Sequence, residues 1–417
     1  MLNFRCAYCE GEIQTEYAHI GEFVKCPLCE ASIAVPDPWL PVGADFQGFA
    51  IGAPLASTML WNTYKADRPS RTGGREDVLL RIPSAFFLKR VKDFGSFSEV
   101  VVKSGTMGVK RIPSLIDYSL TPGKSFFAFE FFDSLDAGEF ISRYGALDIP
   151  EALALARRVA STLRSAWKKR GEVHQNIVPR NVRINGKLKV RVMNFGLSRY
   201  FLEDRTLLEQ GFNVWDHRYM SPEFATRGKG DTPRCDIYAL GGVLYLLLTG
   251  HPPHDGIPKK ELPNAPALDL KYFRSDAPDQ LCALVQLMTM RNPATRLEDW
   301  DEVVDRIDRI AGGKKRLKSA NGRRYMIARP RRDKPTALTT DPAMPSQERK
   351  RLKMTAERKK EEMTETIAKP IAAVKAVRKP QAPGASKPVL NGNAGLITVL
   401  ALALLAILAA AFYAAVF

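Results

Sequence analysis

The chain has 417 residues, 45% of them apolar, and a formal net charge of +17. That length supports about two to three domains, and that apolar share excludes global disorder. The charge suggests nucleic acid only until it is located. Gly313 to Asn393 holds 22 Lys and Arg against seven Asp and Glu, a net of +15, which leaves the rest near neutral at +2.

Residues 1–37 carry two close cysteine pairs, Cys6-x2-Cys9 and Cys26-x2-Cys29, sixteen residues apart. Each pair can fold into a tight knuckle whose backbone N–H groups face the sulfurs. Two knuckles together offer four thiolates in a tetrahedron, a closed structural zinc site with no position left for catalysis. The flanks, Phe4-Arg5-Cys6 and Val24-Lys25-Cys26-Pro27-Leu28-Cys29, resemble small zinc ribbons at the front of many bacterial chains. A module this short has too little core to fold on apolar burial alone, so metal is expected to supply much of its folding energy. A disulfide pair or redox centre is the alternative. His19 lies between the knuckles and is read as a surface residue, because four cysteines complete the site. Cys235 and Cys282 sit in apolar helical patterns and read as buried free thiols. No basic segment followed by an apolar run opens the chain, so a reducing compartment is expected.

Residues 46–311 carry an ordered series of short motifs. Leu55-Ala56-Ser57-Thr58-Met59-Leu60-Trp61-Asn62-Thr63-Tyr64 precedes Val78-Leu79-Leu80-Arg81. Val173-His174-Gln175-Asn176-Ile177-Val178-Pro179-Arg180-Asn181 and Asn194-Phe195-Gly196 follow. Ser221-Pro222-Glu223, Asp236-Ile237-Tyr238-Ala239-Leu240-Gly241 and Arg296 close the series. In this order and spacing the region resembles a protein kinase of the bacterial Ser/Thr type. The resemblance implies an α+β, two-lobed fold. It also gives His174, Phe195, Gly196, Glu223, Asp236 and Arg296 structural roles: a buried Glu223–Arg296 pair, Asp236 accepting from the backbone of the 173–181 loop, and His174 packed under Phe195.

The positions that handle nucleotide in that family are altered. Ala56, Thr58 and Trp61 stand where the phosphate loop has glycines, and a Cβ obstructs the close approach of phosphate to backbone. Trp61 at the loop tip is expected over or in the phosphate site. Leu79 replaces the small Ala above the adenine. Arg81 replaces the phosphate-binding Lys, which it does not imitate at a tight site; Glu99 is its expected partner on the regulatory helix. Asn176 replaces the general base, and an amide cannot accept the proton. Asn194 replaces the magnesium-binding Asp, Val178 replaces a phosphate-contacting Lys, and Gln175 replaces the Arg that grips an activation-loop phosphate. Only Asn181 is retained, and one neutral amide cannot hold magnesium against its hydration shell. ATP with magnesium is therefore expected to bind weakly or not at all. His251-Pro252-Pro253-His254 matches the family's loop after the central helix and is not read as a metal site.

Residues 312–393 form a basic, Pro-containing linker, too polar to fold alone and expected to be disordered; Gln347 to Thr366 could form a charged single helix, but its apolar residues keep no heptad, so no coiled coil is expected. Residues 394–417 carry no charge. At 1.5 Å per residue they reach about 36 Å, enough for a hydrocarbon core of about 30 Å, and read as one transmembrane helix. The basic linker places the N-terminal domains in the cytoplasm, making a single-pass C-terminal anchor. Ala406, Ala410 and Ala414 form a small-residue seam that would support a homodimer.

The reading is a membrane-anchored pseudokinase that acts as a scaffold or allosteric partner of an unidentified protein in signalling, with anionic lipid near the linker. An atypical ATP-binding Ser/Thr kinase with weak transfer activity is the first alternative. A zinc-ribbon nucleic-acid-binding protein is the second, disfavoured because the ribbon lacks an interleaved basic–aromatic surface.

Overall fold

The computed structural model describes residues 1–70, 73–203, 205–212, 214–227, 230, 232–254, 257, 261, 265, 269–312, 325–327, 334–337 and 348–361. The N-terminal module is two small hairpins. Strands β1 (Leu2–Arg5) and β2 (Glu12–Thr15) flank the first cysteine pair, and β3 (Phe23–Lys25) and β4 (Ser32–Ala34) flank the second. The knuckles repeat one pattern. Cys6 N–H donates to the Gly11 carbonyl and Cys26 N–H to Ala31, while Glu10 and Glu30 each take a positive φ and donate back to Cys6 and Cys26. Phe4, Ile33 and Val35 fill the small core between the hairpins.

The module abuts the N-terminal lobe. Gly21 has φ +80° and lies so close to the Ala85–Phe86 backbone that a Cβ would meet the Phe86 nitrogen at 2.9 Å, so only glycine fits. Asp37 accepts from Asn62 Nδ2 at 2.9 Å and from the Ala85 N–H, and the Phe23 ring meets Phe86 edge-on at 5.1 Å.

The lobe is a six-stranded antiparallel sheet ordered β5-β6-β7-β8-β10-β9. Its strands are β5 (Asp45–Phe46), β6 (Phe49–Ser57), β7 (Trp61–Pro69), β8 (Arg75–Pro83), β9 (Leu115–Ser119) and β10 (Phe126–Glu130). Alternation along β7 and β8 sends Tyr64, Ala66, Val78 and Leu80 into one buried face, as the period of two requires. Between β8 and β9 lie a one-turn helix, α1 (Ala85–Leu88), and the regulatory helix, α2 (Phe94–Gly105), capped by the Asp93 carboxylate accepting from Ser96 N–H.

The C-terminal lobe is mostly helical. A short sheet of β11 (Leu135–Asp136), β12 (Val182–Ile184) and β13 (Val190–Val192) floors the cleft. Around it stand α3 (Ala137–Tyr144), α4 (Ile149–Arg170), α5 (Leu197–Glu203), α6 (Arg205–Glu209), α7 (Pro222–Arg227), α8 (Pro233–Thr249), α9 (Leu270–Phe273), α10 (Asp279–Met288) and α11 (Trp300–Ile310). Helix α8 is apolar nearly all round and buried along its length, as a central helix must be. Small residues on α4, among them Ala152, Ala156 and Ala160, let it pack against this helix. Arg296, its side chain fully shielded, forks onto Glu223 at 2.7 and 3.1 Å and ties α7 to the end of the lobe.

Part of the basic segment read as a linker is folded onto other modules. Tyr325 N–H donates to the Gly186 carbonyl, its hydroxyl to Glu151 Oε2 at 3.0 Å, and its ring packs against Phe140 and Tyr144. Residues 348–361 form a helix, α12, within the linker span expected to be disordered. Too polar to fold alone, the segment draws its apolar contacts from its neighbours. No helix among the described residues is long and apolar enough to cross a membrane; residues 394–417, with the Ala406–Ala410–Ala414 seam, lie outside those described.

Candidate functional site

Two places collect chemistry-bearing side chains: the four-cysteine cluster and the cleft between the lobes. The sulfurs of Cys6, Cys9, Cys26 and Cys29 all lie within 4.8 Å of one another, with Cys6–Cys29 at 3.7 Å and Cys9–Cys26 at 3.9 Å. A tetrahedron with Zn–S bonds of about 2.3 Å has edges of roughly 3.8 Å. The donor set thus fits zinc, and no S–S bond joins any of the four. His19 is exposed and stands outside the cluster.

The cleft, of about 490 Å³, is bounded by the tip of the β6–β7 hairpin, Leu79 and Arg81 of β8, the Glu130–Phe132 connection, and Asn176, Asn181 and Asn194 below. Trp61 at the hairpin tip lines the cleft, its ring 5.8 Å from the Arg81 guanidinium, and it is buried against Phe97 at 5.3 Å and Phe127 at 5.6 Å. Met59 and Leu60 are buried with it, and Ser84 fastens the tip by donating from its hydroxyl to Met59 and from its N–H to Leu60. With Met59, Leu60 and Trp61 all apolar, burial anchors the tip that flexible glycines would leave free. Ala56 and Thr58 sit in the paired, tightly turned part of this hairpin, Thr58 Oγ1 accepting from Trp61 N–H.

Arg81 departs from expectation. Glu99 is exposed on α2, whose inward positions are Phe97 and Val101. Among the described residues no carboxylate pairs with Arg81. It donates to Asn194 Oδ1 at 2.8 Å, and its guanidinium lies 5.8 Å from the Trp61 ring and 5.6 Å from the Phe129 ring. Burial, reinforced by Arg183, pushes its pKa down to about 10.

From Arg81 a chain of amides runs across the cleft floor. Asn194 Nδ2 donates to Asn181 Oδ1 at 2.8 Å, Asn181 Nδ2 to the Asn176 carbonyl at 2.8 Å, and Asn176 Nδ2 to the Val214 carbonyl at 2.7 Å. Arg180 donates to the same Val214 carbonyl. The Asn176 amide nitrogen is therefore held by the chain's own backbone while its buried Oδ1 has no partner among the described residues, and the amide atoms of Asn194 and Asn181 are spent on one another, on Arg81 and on the Asn176 carbonyl. Magnesium does not fit: Asn194 and Asn181 are neutral and committed. Of the carboxylates at the rim, Asp136 and Glu139 cap α3 reciprocally, and Glu130 pairs with Arg191 at 2.6 Å. Helix α5 follows Asn194-Phe195-Gly196 directly and packs Tyr200 on Phe97 at 5.3 Å, filling the space beside α2.

The supporting residues stand as a structural set. Asp236 Oδ2 and Oδ1 accept from the N–H groups of His174 at 2.6 Å and Gln175 at 2.7 Å. His174 meets the Phe195 ring edge-on at 5.0 Å, and its Nε2 contacts the Met193 carbonyl at 2.9 Å. Gln175 and Asn194 both adopt positive φ, Gly196 has φ +78°, and Gln175 Nε2 donates to Gly230. Val178 is buried. Cys235 is buried with its thiol donating to Glu223, and His254 is buried beside the Tyr238 hydroxyl.

Full burial lowers the His174 pKa from 6.5 to about 4. A base depressed in the folded state binds fewer protons than in the unfolded chain, so its contribution is intact above pH 6.5 and lost as pH falls to 4. Asp236, pushed up by burial to about 7, acts in the opposite sense, so the comparison must be with a variant. Relative to His174→Gln, the parent is expected to lose about 3 kcal/mol of unfolding free energy between pH 7 and pH 4 in denaturant titrations. A pH-independent difference would place the imidazole outside the buried network.

Residues 90–305, just over half the chain, match the protein kinase domain family. The chain belongs to that family. Among curated protein kinases it is 31% identical over 270 residues to the serine/threonine-protein kinase PknL of Mycobacterium tuberculosis, covering 59% of this chain and 65% of PknL. To PrkC of Bacillus subtilis it is 30% identical over 210 residues, 49% of this chain and 31% of PrkC. The chain thus spans between about a third and two thirds of the length of these relatives. The crystal structure of the PknI kinase domain from Mycobacterium tuberculosis superposes with a TM-score of 0.50 at 23% identity, covering 66% of this chain and all of that domain, a likeness of fold. The protein kinase match does not extend to the cysteine module or to the basic segment.

Two features of the cleft were beyond sequence reasoning: the closure of Asn176 by Val214, and the apolar inward face of α2. The repeat of Phe94, Phe97 and Val101 at helical spacing was the available signal for the second.

Proposed function

We propose that this protein is a pseudokinase: a protein kinase fold that works by binding, as a scaffold or allosteric partner in signalling, and transfers no phosphate. The observation that carries this reading is the run Arg81–Asn194–Asn181–Asn176–Val214, in which the side chains at the phosphate- and metal-ligand positions hydrogen-bond each other and the Asn176 carbonyl, and the Asn176 amide at the base position donates to Val214. The four-cysteine module is a structural zinc site in this account, supported by its donor set and sulfur spacing. The uncharged run 394–417 supports a single C-terminal membrane anchor with the folded domains on the cytoplasmic side.

The cleft itself is open enough to admit a nucleotide-sized molecule, which keeps an ATP-binding alternative testable. Calorimetric titration of ATP into the purified protein, with and without magnesium, separates the two. The pseudokinase reading expects no gain from magnesium. A tenfold or greater tightening on adding magnesium would favour the atypical kinase.

A further inference from the structure

The geometry points to a docking surface on the cysteine module for the chain's own basic helix, so that residues 334–337 and 348–361 form a strap that clasps the module, with Thr336 and Ala337 at the mouth of the cleft. The module repeats its knuckle, and Glu10 and Glu30 occupy equivalent left-handed positions, φ 63° and 62°, immediately after Cys9 and Cys29. Lys353 Nζ meets Glu10 at 2.6 Å and Lys359 Nζ meets Glu30 at 2.5 Å. Six residues of helix rise about 9 Å, so one face of α12 reads both knuckles at once. Leu352 and Ala356 of that face join the module's apolar cluster, Ala356 being 3% exposed.

A second contact is made by backbone. Strand β1 pairs with β2 on one edge only, and its other edge takes residues 335–337: Arg5 N–H donates to the Pro335 carbonyl at 3.1 Å, and Ala337 N–H to the Arg5 carbonyl at 2.7 Å. Strand addition of this kind supplies affinity through main-chain bonds while neighbouring side chains set the register. Lys334 sets it here, against Glu12 at 3.0 Å. At the far end Tyr325 holds the segment to the C-terminal lobe. Gly186 is glycine because a Cβ there would collide with the Tyr325 carbonyl.

Ala7, Thr336 and Ala337 line the cleft together. Opening of this strap would change access to the cleft while releasing Lys353 and Lys359 for other acidic surfaces. This holds whether or not the cleft binds nucleotide, so it stands or falls separately from the pseudokinase reading.

The test is hydrogen exchange on the full chain in detergent micelles, read at α12 and at the Ala337 amide. Single exposed ion pairs are weak, so both are reversed together: Lys353→Glu with Lys359→Glu is expected to speed exchange at both places about tenfold. Adding Glu10→Lys and Glu30→Lys, which re-pairs the charges, is expected to restore protection to within about threefold of the parent. Ala356→Arg, which alters only the helix and leaves the module's sequence intact, is expected to open the strap as the double reversal does. Unchanged exchange in both the double reversal and Ala356→Arg would overturn the docking surface, as would exchange in the re-paired variant as fast as in the double reversal.

Discussion

Asn176→Asp, alone or with Asn194→Asp, is expected to restore no phosphate transfer and to lower unfolding free energy by about 1–3 kcal/mol. Asn176 donates through Nδ2 to the Val214 carbonyl; a carboxylate there sets acceptor against acceptor in a nearly buried site. At Asn194 a carboxylate would gain the Arg81 guanidinium but would face Asn181 Oδ1, which now accepts from the Asn194 amide. Neither change removes the Val214 carbonyl from beside residue 176, and neither supplies the missing partner from α2, where Phe97 and Val101 point inward. Denaturant midpoints and incorporation of labelled phosphate check the two halves. A double variant that transferred phosphate at full stability would show that the ladder is an incidental arrangement.

Chelation, or Cys9→Ser, is expected to remove one zinc per chain and unfold residues 1–37 while the kinase fold persists. The module's own apolar core is a handful of side chains around Phe4 and Ile33, too little to fold without metal, whereas structural zinc sites contribute apparent binding energies of about 10–16 kcal/mol. The C-terminal lobe has a separate core built on α4, α8 and α11, and it does not depend on the sulfurs. Metal analysis with exchange at the β1–β2 and β3–β4 amides reads the outcome. An ordered, protected module free of zinc would refute the structural assignment.

Much of the fold was legible because its signals are local and ordered along the chain. The cysteine spacing fixes two knuckles, and the series from His174 through Asp236 to Arg296 carries buried polar contacts that tolerate few residue types: Asp236 against two backbone N–H groups, Arg296 forked on Glu223. What was not legible depends on which of several neighbours a side chain chooses. Position along the helix points Glu99 toward Arg81, but the helix turns its apolar stripe inward and leaves Glu99 in solvent. Trp61 replaces a glycine and does line the cleft, but its burial against the aromatic cluster of Phe97 and Phe127 depends on tertiary neighbours that its local sequence does not name. The basic segment looked featureless because Tyr325, Ala337, Leu352 and Ala356 are isolated among charges, and their partners lie about 140 to 350 residues away in sequence. Its readable trace was the repeated glutamate after each cysteine pair.

The central claim is that a protein kinase fold is kept here without its chemistry, and transfer of labelled γ-phosphate from ATP by the full chain tests it most directly. With magnesium present, incorporation into itself or into generic protein substrates is expected to be indistinguishable from that of Asn181→Ala. Magnesium-dependent incorporation that Asn181→Ala abolishes would contradict the account.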